Sequence, residues 1–389
     1  MADRILGAEV ADKIRNPKWG MAGVVRELQE GFETGRLHIS QLSLRDLWRN
    51  LVPEGRSLLE RMENRKSGGL TLLEAGNAVD TTAFSNTTGQ IIYNAVIQAF
   101  NQQPMLWKDC CETMQTQFLD GERVAGIGQV GDKFEIVDQG MPYPTVGLNE
   151  EYVDAPPPTK RGAIIPVTRE MVIADRTGLL MQRCNGLGEW LAWNKEKRVL
   201  DVVFGVTNNY KRLGTASNTY LTSGAYINQQ ANPLVDWRSL NAAYLLFDAI
   251  TDPNTGEPIL IQPDTIIVPS ALLMDANRIL HATQVRVGDG NSASTATYSD
   301  NPAGKGWYGG PQPKVLASAY VKSRTSSAST WFLGSPKKSF KYSEVWGIET
   351  TQAPANSFYE FDRDIQYQFR VSEMGVAWAY EPRYMTKNT

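Results

Sequence analysis

Six prolines fall between Arg123 and Val167, at Pro142, Pro144, Pro156, Pro157, Pro158 and Pro166, in a stretch that otherwise alternates apolar and polar residues as strands do. Proline fixes φ and brings no N–H to a ladder, so this stretch is neither a helix nor a central strand. What remains is an extended hairpin of some 40 residues, whose apolar members Phe134, Ile136, Val137, Met141, Tyr143, Val146, Leu148 and Tyr152 are too sparse for a private core. An isolated ribbon is marginal in water, so this one is expected to lie on something else. Its charges supply candidate contacts: Lys160 and Arg161 stand on one side of the triple proline, Glu150 and Glu151 on the other. Such charges are solvated by default, but on a ribbon that needs a partner they suit electrostatic docking. Arg123, Lys133 and Tyr143 complete the set of candidate inter-subunit contacts.

The flanks are more regular. Met1 to about Leu73 is helix-prone, with Val24, Val25, Leu28 and later Leu44, Leu47, Trp48 and Leu51 at amphipathic spacing. Glu74 to Gln90 is small and polar and is expected to be an extended connector. Ile91, Ile92, Ala95, Val96 and Ala99 suit a short helix stopped by Pro104, after which Leu106 and Trp107 should anchor the chain. After the ribbon, Thr168 is placed to cap a long helix reaching about Phe204, in which Gly178, Gly186 and Gly188 permit a bend or a close approach by another backbone.

Downstream, a helix carrying Leu240, Tyr244, Phe247 and Ile250, a turn at Asp252 to Gly256, a buried strand Thr265 to Val268 and a helix capped by Ser270 form an α+β layer. Gly288 to Gln312 is expected to be a long surface loop, with strands returning at Lys314 to Val321 and Thr330 to Leu333. At the end, Tyr359, Phe361, Ile365, Tyr367, Phe369 and Val371 hold odd positions and Met374, Val376, Trp378 and Tyr380 even ones. A hairpin or bulge at Ser372-Glu373 would keep both sets facing one core.

Little here is suited to chemistry. There are 2 histidines, His38 and His281, and 3 cysteines, of which Cys110 and Cys111 are adjacent and Cys184 lies in a helical pattern. That allows no disulfide framework or metal spacing, so a reducing cytoplasm fits and no catalytic group, cofactor or metal is expected. No run approaches the length that crosses a bilayer, and no membrane partner is expected. A formal net charge of −3 argues against a global positive field for nucleic acid, although Lys337-Lys338 remains a local candidate for DNA contact. Gly126, Gly128 and Gly131 spell a G-x-G-x-x-G, but strand-like residues follow where a dinucleotide site needs a helix.

The order of parts resembles the major capsid proteins of tailed bacteriophages, the Hong Kong 97-type fold. Its most telling pieces are Gln262-Pro263-Asp264-Thr265-Ile266-Ile267-Val268-Pro269 and Phe361 to Arg370 leading to Gly375-Val376-Ala377-Trp378. The resemblance implies a division into 1–73 (helical segment, retained arm or scaffold-like), 74–122 (N-arm), 123–167 (E-loop hairpin), 168–236 (peripheral domain with spine helix), 237–345 (axial domain) and 346–389 (return strands). It further implies a structural, non-enzymatic protein of the virion that self-assembles into pentamers and hexamers of an icosahedral shell around double-stranded DNA, built in the bacterial cytoplasm. Portal, scaffold and cement proteins are its implied partners. Some relatives cross-link their hairpins, but no site partnering Lys133 or Lys160 is found. An encapsulin-like compartment shell, distinguished by its gene neighbours, and more remotely a nucleotide-dependent oxidoreductase resting on the glycines, are the alternative readings.

Overall fold

A computed structural model describes residues 7–16, 20–34, 36, 96–101, 104–126, 136–143, 151–168, 179–224, 226–252, 256–287, 297–305, 310–353 and 365–389. The chain divides into two units, one of Met1–Pro104, Lys160–Asn194 and Trp346–Glu373, the other of Met105–Thr159, Lys195–Val345 and Met374–Thr389.

The second unit is organised by the short apolar strand Thr265–Val268, buried at all four positions. Lys314–Ala317 pairs with it in parallel and Trp331–Gly334 antiparallel. Met385–Asn388 and then Gln229–Gln230 extend the sheet on the far side of Trp331–Gly334. Alternation sends Ile266, Val268, Trp331 and Leu333 to one face, where they pack with Leu240, Tyr244 and Phe247 of the helix Trp237–Asp248 and Ala276, Ile279 and Leu280 of the helix Leu273–His281. On the other face Phe332 stacks on Phe204 at 5.2 Å and meets Tyr220 at 5.6 Å. Each such side chain contributes about 1.5–3 kcal/mol by leaving water.

Local chemistry sets the element ends. Asp236 accepts the N–H groups of Arg238 and Ser239 and so starts the helix Trp237–Asp248. Ser318 accepts Tyr320 N–H at 3.2 Å and opens the helix Ala319–Thr325, which ends the strand expected to reach Val321 at Ala317. Ser270 is not the expected cap: it begins a 3₁₀ turn, Ser270–Leu272, that leads into the helix with no side-chain cap. The expected loop from Gly288 contains a strand, Thr297–Asp300, that pairs antiparallel with Gln284–Val287; residues 288–296 and 306–309 lie outside the described residues.

In the first unit, the helices Gly7–Arg15 and Gly20–Glu33 bury Val10 and Val24 and are tied by Lys13 to Glu27 at 2.8 Å. They match the short amphipathic helices expected before Leu73; residues 37–95, including the connector, lie outside the described residues. Helical residues 96–101 pack so closely on Gly188 that a Cβ there would sit 2.5 Å from the Val96 carbonyl oxygen, which is the close approach its glycine allows.

The long helix spans Leu179–Val203, 25 residues or roughly 37 Å at 1.5 Å per residue. Thr168 does not cap it. Thr159–Thr168 is instead a strand beside Ile365–Ala379, and its edge position tolerates Pro166. Of the hairpin or bulge expected at Ser372-Glu373, the hairpin is absent: Ile365–Ala379 is one continuous strand, and Val371, Ser372 and Glu373 are buried in succession. A strand covered on both faces can move its apolar set from odd to even positions without reversing.

Candidate functional site

The proline-rich ribbon begins on a stem built into the second unit. Arg123–Ala125 pairs antiparallel with Tyr152–Asp154, which continues through Val153 opposite Arg212 into the hairpin of Tyr210–Arg212 and Thr215–Ser217. Ala155 N–H donates to Glu122 O and Gly126 N–H to Glu151 O, both at 2.8 Å. The Tyr380 hydroxyl donates to Ala125 O at 2.6 Å, while Val153 and Ala155 are buried. The stem therefore has the support that the sequence denied to the ribbon as a whole.

Its charges are spent internally. Arg123 Nε lies 3.3 Å from Asp154, with the guanidinium 4.7 Å from the Tyr152 ring centre, and Lys211 approaches the other Asp154 oxygen at 3.5 Å. Glu151, expected as a free docking charge, is paired with Arg212. A cleft of about 490 Å³ beside the stem is lined by Asp120, Glu122, Arg123, Asp154, Pro156 and Lys211 among others, with charges of both signs in its lining.

Farther out the ribbon loses cover. Ile136 is 98% exposed, Met141 64% and Tyr143 85%, a density of bare apolar surface that a free polypeptide seldom presents. Lys133 and Glu150 lie outside the described residues. Lys160 and Arg161 belong to the edge strand Thr159–Thr168 of the first unit, not to the stem; Arg161 is exposed and Lys160 Nζ sits 5.8 Å from the Trp346 ring centre. Five of the seven candidates fall within the described residues. Tyr143 is the one placed on the bare ribbon, and Arg123 and Glu151 hold its base.

Sequence reasoning missed two features of the long helix. Trp190 and Trp193, three residues apart and so on one face, are both exposed. No sequence signal separated them from Leu187 and Leu191, apolar residues that recur at helical spacing in the same segment. One turn on, Lys195 and Glu196 are buried within a stretch, Asn194 to Lys197, that reads as solvent-facing.

The Glu196 carboxylate accepts the N–H groups of Leu106 at 3.1 Å and Trp107 at 3.0 Å, fixing the start of the turn Trp107–Cys110. Burial pushes its pKa up, and those two hydrogen bonds act in the opposite direction. Lys195 Nζ lies 4.5 Å from the Trp107 ring centre and 4.1 Å from that of Tyr342, and pairs with Glu344 at 3.2 Å. This anchors Trp107 as the sequence suggested.

Nothing in these arrangements pairs a nucleophile with a base. Burial raises the thiol pKa values of Cys110 and Cys111, the reverse of a reactive cysteine. Among the described residues no three His, Cys, Asp or Glu side chains are grouped to hold a metal ion, and no helix is long and apolar enough to cross a membrane.

A family model described as phage capsid protein matches residues 153–388, from the second stem strand to the last sheet strand. No curated protein matches the chain. Similar solved structures include one from Gordonia phage Cozz, at 11% identity over 83% of this chain and 98% of that one, with a TM-score of 0.45. The capsid of cyanophage P-SCSP1u is similar at 9% identity over 74% and 88%, with a TM-score of 0.44. A virus-like particle from Pyrococcus furiosus is similar at 12% identity over 76% and 96%, with a TM-score of 0.40.

Proposed function

The chain belongs to the phage capsid protein family, structural proteins of the virion shell, and from that premise we propose that its copies form the pentamers and hexamers of an icosahedral head enclosing the double-stranded DNA of a tailed phage. The observation that carries this reading is the ribbon: a stem hydrogen-bonded into its own unit, and beyond it Ile136, Met141 and Tyr143 bare to solvent. A ribbon fixed at one end and uncovered at the other is shaped to lie on a second copy. Because the covering surface differs from the surface that covers, the contact is heterologous and closes into rings.

In this reading Arg123 and Glu151 brace the ribbon from within, through Asp154 and Arg212, while Tyr143 and, farther along, Lys133 and Glu150 meet the neighbour. Arg161 and Lys160 act from the edge strand as a separate contact. The helical segment 1–73 and the N-arm 74–122 serve as the arm, 123–167 as the E-loop, 168–236 and 346–389 as the peripheral domain and 237–345 as the axial domain. The protein performs no chemistry of its own. It is assembled in the bacterial cytoplasm with portal, scaffold and cement proteins.

The test is the triple variant I136S/M141S/Y143S. Its protomer keeps the circular dichroism and urea midpoint of the parent, since these side chains are already in water. Truncating a residue at the hot spot of an interface costs about 2 kcal/mol or more, so shells, measured by sedimentation velocity and negative-stain microscopy, are lost. Shells of normal yield from the variant would overturn the role given to the ribbon.

A further inference from the structure

Two short helical turns of the second unit, Trp107–Cys110 and Pro336–Ser339, approach within 8 Å between Cα atoms, and both display lysine. Lys108, Lys337 and Lys338 are exposed. Among the described residues none of the three has an ion-pair partner; Lys338 Nζ lies 5.8 Å from the Tyr384 ring centre. The one acidic residue on either turn, Asp109, is already engaged by Lys314 at 3.1 Å. Several other cations of this unit do have ion-pair partners: Lys341 has Glu112, Arg212 has Glu151, Arg324 has Asp201 and Arg383 has Glu381. Three uncompensated positive charges therefore stand together on a chain whose formal net charge is −3.

The turns that carry them are braced. Trp107 and Cys110 are buried and Glu196 holds the Trp107 N–H, while Pro336 and Ser339 are buried and the hydroxyls of Ser335 and Ser339 donate to Gln262 O and Glu381 O at 3.0 and 2.9 Å. The lysine stems thus leave a fixed base, unlike those of a solvated tail.

We propose that Lys108, Lys337 and Lys338 form a platform for the phosphate backbone of duplex DNA, binding it without reading sequence. Compact ammonium groups on flexible stems neutralise phosphates as point charges and impose no planar geometry, which suits contact with DNA of any sequence. The inference rests on the capsid reading, because a shell protein meets a concentrated polyanion on its inner side.

The experiment compares the full-length protein with K108Q/K337Q/K338Q, using a mixed-sequence 30-base-pair duplex between 50 and 200 mM salt, with shell formation measured separately by sedimentation. Log affinity for the parent falls linearly with log salt, each neutralised phosphate adding about 0.9 to the slope. The triple variant loses about 2.7 of that slope and more than tenfold in affinity at 50 mM, while its shells form normally. K337R/K338R, which keeps the charge, binds as the parent does.

An unchanged slope in the triple variant, or no salt-dependent binding by the parent, overturns the platform and leaves the capsid reading intact. Loss of shells in the triple variant also overturns it, by assigning the lysines to a contact between copies. Tighter binding of poly-glutamate than of the duplex overturns it in favour of an acidic protein partner. A parent that forms no shells under any condition counts instead against the capsid reading itself.

Discussion

Glu196 shows how one buried carboxylate can fix where a segment joins a unit. It faces two backbone N–H groups, so truncation to alanine orphans both, and E196A is expected to cost about 2–4 kcal/mol by urea denaturation. Its pH dependence has a definite sign. Burial raises the folded-state pKa above the unfolded one, so its contribution is fully present below the unfolded value and is lost as pH rises through the raised value. E196Q, which cannot ionise, should remove that component: the stability difference between parent and variant moves in favour of E196Q above the ordinary carboxylate range. Equal pH profiles for the two proteins would contradict it. The spacing of Lys195 and Glu196 gave no hint of burial, because their partners Trp107, Tyr342 and Glu344 come from distant sequence.

Among elements, the long helix carries a paired test of close packing. Gly188 lies under the Val96 carbonyl, whereas Gly186 has no neighbour within 4 Å of a Cβ added there. G188A should cost about 1–3 kcal/mol by displacing helical residues 96–101. G186A should stabilise by about 0.5–1 kcal/mol, because alanine loses less conformational freedom in a helix than glycine. Thermal unfolding of both variants checks the contrast, and equal shifts of one sign would reject it. The permissive role of these glycines was legible in sequence; which of them had a neighbour was not. The same holds for Thr159–Thr168, where alternation and prolines announced extended chain but could not say that it would join Ile365–Ala379 and leave the ribbon to the strands before it. Strand pairing is a choice of partner, and local pattern does not encode the partner.

For the molecule as a whole, Cys110 and Cys111 report on cohesion. Both are buried with raised thiol pKa values, so neither should react with a thiol reagent in the native protein. Their modification is expected to track global unfolding in urea, with reaction of both well below the midpoint as the result that would refute it. At this scale the sequence by itself determined an α+β chain with a proline-rich ribbon too poor in apolar residues for a private core and a buried strand at Thr265–Val268. These follow from periodicity and proline geometry, which act over a few residues.

Tertiary structure alone decided that Glu151 and Arg123 brace the stem, that Trp190 and Trp193 remain exposed, that Lys195 and Glu196 are buried, and that the phase change at Ser372-Glu373 occurs within one strand. Each depends on which distant surface covers a residue. That is fixed by how the elements pack, since burial and charge pairing are properties of neighbours in space.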